Sequence, residues 1–186
     1  MDARRTDTRE RIQQVAMGLF AKQGYEKTSL QAIADRLDVT KAAVYYHFRT
    51  KEAILESIVA DLNRFLDELI AWGRDQPPTD DTRREVLNRL AAIVSDDRMR
   101  ELMRLSQNNS TAISDLNVGA EMAERIAGVT RLLAGGKSDV ETQMRAQLAI
   151  GALLMSSLTL PHLDVSDQER ATAALTIATE LITGAG

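Results

Sequence analysis

Apolar residues recur at helical spacing along nearly the whole chain, and no stretch alternates apolar and polar residues long enough to make a strand. Ile12, Val15, Ala16, Leu19 and Phe20 form one apolar stripe of this kind. The pattern predicts an all-α protein, and capping signals divide it into about nine helices. The first opens at Asp7, with Glu10 completing a capping box, and closes at Gly24. Thr28 and Gln31 form a second box, opening a short helix whose inner face is Leu30, Ile33, Ala34 and Leu37. Thr40 caps a third helix from Lys41 to Phe48, and Thr50 caps a fourth.

That fourth helix holds its apolar stripe from Lys51 to Gln76, about 39 Å at 1.5 Å per residue. Pro77-Pro78 stops it, because neither ring nitrogen can donate a hydrogen bond. Further helices are expected over 82–95 and 97–105, then a polar loop from Ser106 to Thr111 and a helical region over 112–134 that ends at Gly135-Gly136. Helices over 139–158 and 167–183, the last opened by Ser166 and Glu169, complete the chain. The chain is expected to divide into a domain over 1–50 and a second over 51–186, joined by the long helix 51–76.

The 186 residues include no cysteine and two histidines, His47 and His162. Disulfides, thiol nucleophiles and thiolate metal sites are thereby excluded, and neither a metal nor a cofactor is expected. No nucleophile–base pair or phosphate loop is visible, so an enzyme is not expected. The amino terminus is charged where a signal peptide needs an apolar stretch, and the longest apolar run, Leu148 to Met155, is far shorter than the roughly 20 residues of a membrane span. A cytoplasmic protein is the simplest expectation.

Charge is unevenly placed. Residues 1–51 hold ten Lys/Arg against six Asp/Glu, a balance of +4, whereas 52–186 hold 13 against 21, a balance of −8. A basic end on an acidic body suits a negatively charged partner. All seven aromatic residues lie in the first 72 positions.

The two short helices over 30–37 and 41–48, joined by a tight turn, have the spacing of a DNA-reading helix-turn-helix. Ala34 is small where the helices cross, Val39 and Val44 are apolar where turn and second helix pack inward, and Asp38 tolerates the positive φ that such a turn needs. Many helical proteins contain a similar corner, so periodicity alone leaves both readings open.

The residues themselves resemble the N-terminal domain of the tetracycline-repressor (TetR) family of bacterial transcriptional regulators. The resemblance runs over Thr8–Lys51 and rests on three blocks: Leu19-Phe20-Ala21 with Gly24-Tyr25 and Thr28-Ser29; Ile33-Ala34 with Leu37 and Val39-Thr40-Lys41; and Val44-Tyr45-Tyr46-His47-Phe48 with Lys51-Glu52. Asp38 departs from the family's frequent glycine, and Ala42 stands where a small residue is common.

By position, the resemblance implies that Thr28 and Thr40 offer hydroxyl and backbone N–H groups to phosphates. It implies Lys41 for a guanine edge or a phosphate, Ala42 for a thymine methyl, Tyr45 along the groove, Tyr46 and His47 as backbone clamps, and Lys51 for a phosphate. Read from chemistry alone, Tyr46 could equally be a core aromatic, as Phe48 is expected to be, and His47 a neutral surface histidine. Arg4 and Arg5 could be solvated or form an arm along the DNA.

The helix around 144–158 is apolar nearly all round, with small residues interspersed, and the last helix carries an alanine-rich stripe over 168–182. They suit either an internal hairpin or an interface between two copies. The resemblance favours a homodimer through these helices, reading a palindromic operator in double-stranded DNA. It also implies a cavity for a small-molecule effector, for which Trp72, Met99, Met103, Met122 and Met155 are candidate lining and His162 and Arg104 candidate polar anchors. Each of the methionines could equally be ordinary core filling. The expected function is a repressor released from DNA by that effector. An effector-independent regulator, or an activator of the same fold, remains the alternative.

Overall fold

The computed structural model describes residues 2–107, 119–156 and 164–184, and among them every regular element is helical. In chain order these are α1 (Asp2–Gln23), α2 (Leu30–Leu37), α3 (Lys41–His47), α4 (Lys51–Arg74), α5 (Asp80–Val94), α6 (Asp97–Gln107), α7 (Gly119–Leu133), α8 (Val140–Met155) and α9 (Asp167–Thr183). No helix among the described residues is long and apolar enough to cross a membrane.

Most ends fall where capping chemistry puts them. Thr40, Thr79, Asp139 and Ser166 each accept a hydrogen bond from a first-turn amide, and Ser166 with Glu169 closes a full capping box. The last turn of α4 tightens ahead of the prolines, with the Asp75 and Gln76 amides donating to Trp72 and Gly73 carbonyls three residues back. Two expected starts are corrected. Helix α1 begins at Asp2, so Asp7 lies inside it and caps nothing; no glycine or proline in Ala3–Thr6 interrupts the turn before it. Helix α2 is capped by Ser29, because the Thr28 hydroxyl is buried, donating to the Gly24 carbonyl (2.8 Å) and accepting from Gln23 Nε2 (3.1 Å). Ser106 and Gln107, expected in a polar loop over 106–111, belong to α6; the rest of that stretch lies outside the described residues, as do 112–118.

The chain forms two compact units, and the boundary falls inside α4 rather than ahead of it. The first unit contains α1–α3, α4 as far as Asp61, and α6. Its core is built from Ile12, Ala16, Phe20, Ile33, Val44 and Ile54, all fully or nearly fully buried, each large apolar side chain stabilising the fold by roughly 1.5–3 kcal/mol. Helix α6 packs on α1, which brings it into this unit although it follows the long helix and α5 in sequence. A buried polar residue, Gln13, makes the attachment specific. Its Nε2 donates to Ser57 Oγ (2.9 Å) and Asp61 Oδ2 (3.0 Å), and its Oε1 accepts from Arg98 Nη1 (2.8 Å). One side chain on α1 thus ties α4 and α6.

The second unit contains the rest of α4 with α5, α7, α8 and α9. Helices α8 and α9 pair along their length, burying Ala146, Ala149, Leu153, Ala174 and Ala178, whose small side chains let the backbones come close. The end of α4 approaches α7 just as closely. A Cβ at Gly73 would lie 2.5 Å from Leu132 Cδ1, and one at Gly128 would lie 2.8 Å from Ile70 Cδ1. A methyl group at either position would force the Leu132 or Ile70 side chain to shift.

Candidate nucleic-acid interface

Helix α3 is locked into the first unit from one side. Leu30, Ile33 and Ala34 of α2 are buried, and Val44 and Phe48 close the core from α3 and its C-terminal end. Between the helices Asp38 adopts the left-handed conformation (φ 55°, ψ 46°), which lets the Val39 amide donate to the Ala34 carbonyl (3.1 Å) and ends α2. Asp visits this region at lower cost than most non-glycine residues. Val39, expected to pack inward, is instead 40% exposed, because the left-handed turn swings it outward.

The opposite side of α3 faces solvent. Lys41, Ala42, Tyr45 and Tyr46 are all exposed, Tyr45 to 43% and Tyr46 to 70%, so Tyr46 is no core aromatic. The Lys41 ammonium stands 5.3 Å from the Tyr45 ring centroid, and His47 meets Tyr46 edge-on at 5.2 Å. No acidic residue occurs between Thr40 and Thr50, so this face combines cation, aromatic faces and a methyl group without opposing charge. Thr40 and Ser29, each exposed at a helix start, present hydroxyls on the same helix pair. Ser29, not Thr28, supplies the exposed hydroxyl at the start of α2.

Lys51 behaves differently from the other expected contacts. Its ammonium turns inward, donating to the Tyr25 carbonyl (2.9 Å) and more weakly to Glu26 (3.5 Å), beside the Glu26 carboxylate (3.5 Å) and over the Tyr25 ring (4.1 Å). Glu52, next on α4, accepts the Tyr25 hydroxyl at 2.8 Å. Burial, then the Glu52 bond and nearby carboxylates, push the Tyr25 phenol well above its ordinary range. The Glu52 carboxyl is held below its usual value by its own backbone N–H and by the Tyr25 and Thr50 hydroxyls. The start of α4 is thereby clamped to the loop that leads into α2. Arg9 contributes on the same side, paired with Asp61 (3.4 Å) and lying over Phe48. The side chains of Arg4 and Arg5 lie outside the described residues.

The candidate effector residues are divided between the two units. Met99, buried, and Met103, half-buried, belong to α6 in the first unit. Trp72, Met122 and Met155 belong to the second. Met155 is 56% exposed on the outer face of α8, which removes it from any interior lining. Trp72 is half-buried with the Arg89 guanidinium 3.7 Å over its ring. His162 and the Arg104 side chain lie outside the described residues. The second unit does contain a cavity of about 220 Å³, lined by Arg83, Leu133, Lys137, Arg145 and Ile182 among others, but by none of the candidates. No cluster of three or more metal-ligating side chains occurs among the described residues.

Residues 12–58, which span α2, the turn and α3, match the family model described as bacterial regulatory proteins, tetR family. A crystal structure of a TetR/AcrR-family transcriptional regulator from Thermobifida fusca superposes with a TM-score of 0.60 at 26% identity, covering 97% of this chain and 99% of that one. Over residues 12–58 the chain carries the domain of the tetR family of bacterial regulatory proteins. Curated relatives of this chain include a probable acrEF/envCD operon repressor of Escherichia coli K12, 28% identical over 53% of this chain and 46% of that protein. The match thus spans about half the length of that relative. A probable HTH-type transcriptional regulator of Pseudomonas putida is 27% identical over 83% of this chain and 82% of its own.

Proposed function

We propose that the protein is a homodimeric, sequence-specific DNA-binding transcriptional regulator, acting as a repressor that a small-molecule effector releases from a palindromic operator. The observation that carries the reading is the acid-free exposed face of α3. Lys41, Ala42, Tyr45 and Tyr46 offer a cation for a guanine edge or phosphate, a methyl contact for thymine, and two flat amphipathic rings for the groove wall. Exposed hydroxyls of Ser29 and Thr40, each at a helix N-terminus, suit flanking phosphates. The name of the Escherichia coli relative supports repression.

The second copy is supported by the outer face of α8 and α9. Val140, Met144, Leu148 and Met155 lie on one side of α8, with Ile177 on α9, and all five are at least half exposed. A contiguous apolar face of this kind needs a partner, and two reading heads related by a twofold axis match half-sites one turn, roughly 34–36 Å, apart.

Effector release is supported by the continuity of α4, 24 residues running from Lys51 into the second unit. Movement of its first turn would pull on the Tyr25 and Glu26 carbonyls through Lys51, and on Tyr25 through Glu52, disturbing the entry to α2. Such coupling typically amounts to ~1–3 kcal/mol, a ~5–150-fold loss of DNA affinity.

The test is selection of bound duplexes from a randomised pool with the wild type and with Lys41→Ala, Tyr45→Ala. The wild type is expected to enrich a palindrome that the double variant fails to enrich. Equal enrichment by both would refute the assignment of α3 as the reading helix.

A further inference from the structure

The first unit carries a feature that DNA reading leaves unused. On the face of α1 turned away from the core, an open cleft of about 460 Å³ lies against the C-terminal end of α2. That volume is within the range of small-molecule sites, roughly 300–1,000 Å³. Its floor is apolar and half-buried, made by Val15 and Leu19 of α1 and Leu37 of α2. Its rim carries three cations, Arg11, Lys22 and Arg36, and among the described residues none of them pairs with a carboxylate. Elsewhere on the protein the arginines are commonly paired: Arg64, Arg84, Arg89, Arg125, Arg131 and Arg145 all have carboxylate partners.

Gly18 supplies an independent observation. It sits in the middle of the 22-residue α1, where glycine is less favourable than alanine, yet a Cβ built there meets nothing within 4 Å. Packing within the chain does not require this glycine. Its missing side chain instead deepens the cleft between Val15, Leu19 and Lys22, as suits a surface that a ligand approaches closely.

We propose that this cleft binds a small anionic amphiphile, with a carboxylate or sulfonate head among Arg11, Lys22 and Arg36 and an aliphatic or aryl body lying over Gly18. An apolar floor contributes nothing to holding a DNA phosphate, which favours the amphiphile over the nucleic-acid backbone. The site lies wholly in the first unit and does not depend on any cavity of the second.

The experiment uses the full chain without DNA, titrated with 8-anilinonaphthalene-1-sulfonate and followed by fluorescence, with decanoate and decyltrimethylammonium as competitors. Wild type is expected to bind the dye in a component that decanoate displaces and the cationic surfactant does not. Gly18→Leu, which fills the cleft in a helix that welcomes leucine, should weaken that component at least tenfold. Gly18→Ala should retain it, and Lys22→Gln with Arg36→Gln should weaken it without lowering helical content. Dye binding unchanged by Gly18→Leu, or equal displacement by both surfactants, would overturn the proposal. So would a double variant that keeps its dye affinity but shows a shallower salt dependence of DNA binding, which would assign the cations to phosphates. Because the dye titration contains no DNA, its failure leaves the regulator reading untouched.

Discussion

Replacing Leu148 with glutamate separates folding from self-association, and comparison with Ala178→Glu makes the separation measurable. Both positions lie on the α8–α9 pair, but on opposite sides of it. Leu148 is 56% exposed in the single chain, whereas Ala178 is fully buried. Covering the exposed half of Leu148 in a dimer stabilises by about 0.75–1.5 kcal/mol per protomer, half of the ~1.5–3 kcal/mol for a whole leucine. Over two copies that is about 1.5–3 kcal/mol, and desolvating two unpaired carboxylates adds a few kcal/mol more. A total of about 5 kcal/mol raises the dimer Kd by three to four orders of magnitude. Sedimentation at micromolar concentration should therefore show Leu148→Glu as a single 20.5 kDa chain with the helical signal of the wild type. Ala178→Glu, which places a charge between α8 and α9 within one chain, should lose several kcal/mol of folding stability and its cooperative thermal transition. The reasoning is refuted if Leu148→Glu sediments as a dimer at those concentrations, or if it melts as poorly as Ala178→Glu.

Three further outcomes follow from contacts within the first unit. Gln13→Leu removes three hydrogen bonds, two of them to charged partners, and should lower stability by ~2–4 kcal/mol, read as a shift in urea midpoint; an unmoved midpoint would show that the network contributes nothing net. Tyr25→Phe deletes the bond to the largely exposed Glu52 and should cost about 1 kcal/mol at pH 7. The depressed Glu52 carboxyl contributes stability that is present above about pH 4.5 and lost as pH falls below it; the raised Tyr25 phenol contributes stability present below about pH 10 and lost as pH rises beyond it. Tyr25→Phe should therefore flatten the stability profile at both ends, and an unchanged profile would count against the clamp. Asp38→Gly should be near neutral, while Asp38→Val forces a β-branched residue to φ 55° and should cost about 1–2 kcal/mol, measurable by thermal melting.

Much of this protein is legible in its sequence because helix chemistry is local. Period, caps and breakers act within a few residues, so Thr40 at the start of α3, the box at Ser166 and Glu169, and Asp38 in the turn could be read directly and stand as expected. The exposed face of α3 follows as well, since Val44 and Phe48 are the residues that must turn inward. Where two neighbours had similar chemistry, as at Thr28 and Ser29, only the packed loop chose between them, by burying one hydroxyl against the Gly24 carbonyl.

Tertiary structure alone decided what depends on partners distant in sequence. Lys51 reads as a solvent-facing cation until the loop at Tyr25 and Glu26 places carbonyls beside it. Gln13 reads as a polar interruption of an apolar stripe until Asp61 and Arg98, 48 and 85 residues away, converge on its amide. Helix α6 follows the second unit's α5 in sequence and yet packs with α1. Which side of α8 pairs with α9, and hence whether Ala178 or Leu148 is left exposed, was likewise open, because both faces of α8 are apolar. Periodicity reports how residues are arranged around one helix axis; the rotation of that helix against its neighbours is set by contacts that no local pattern encodes.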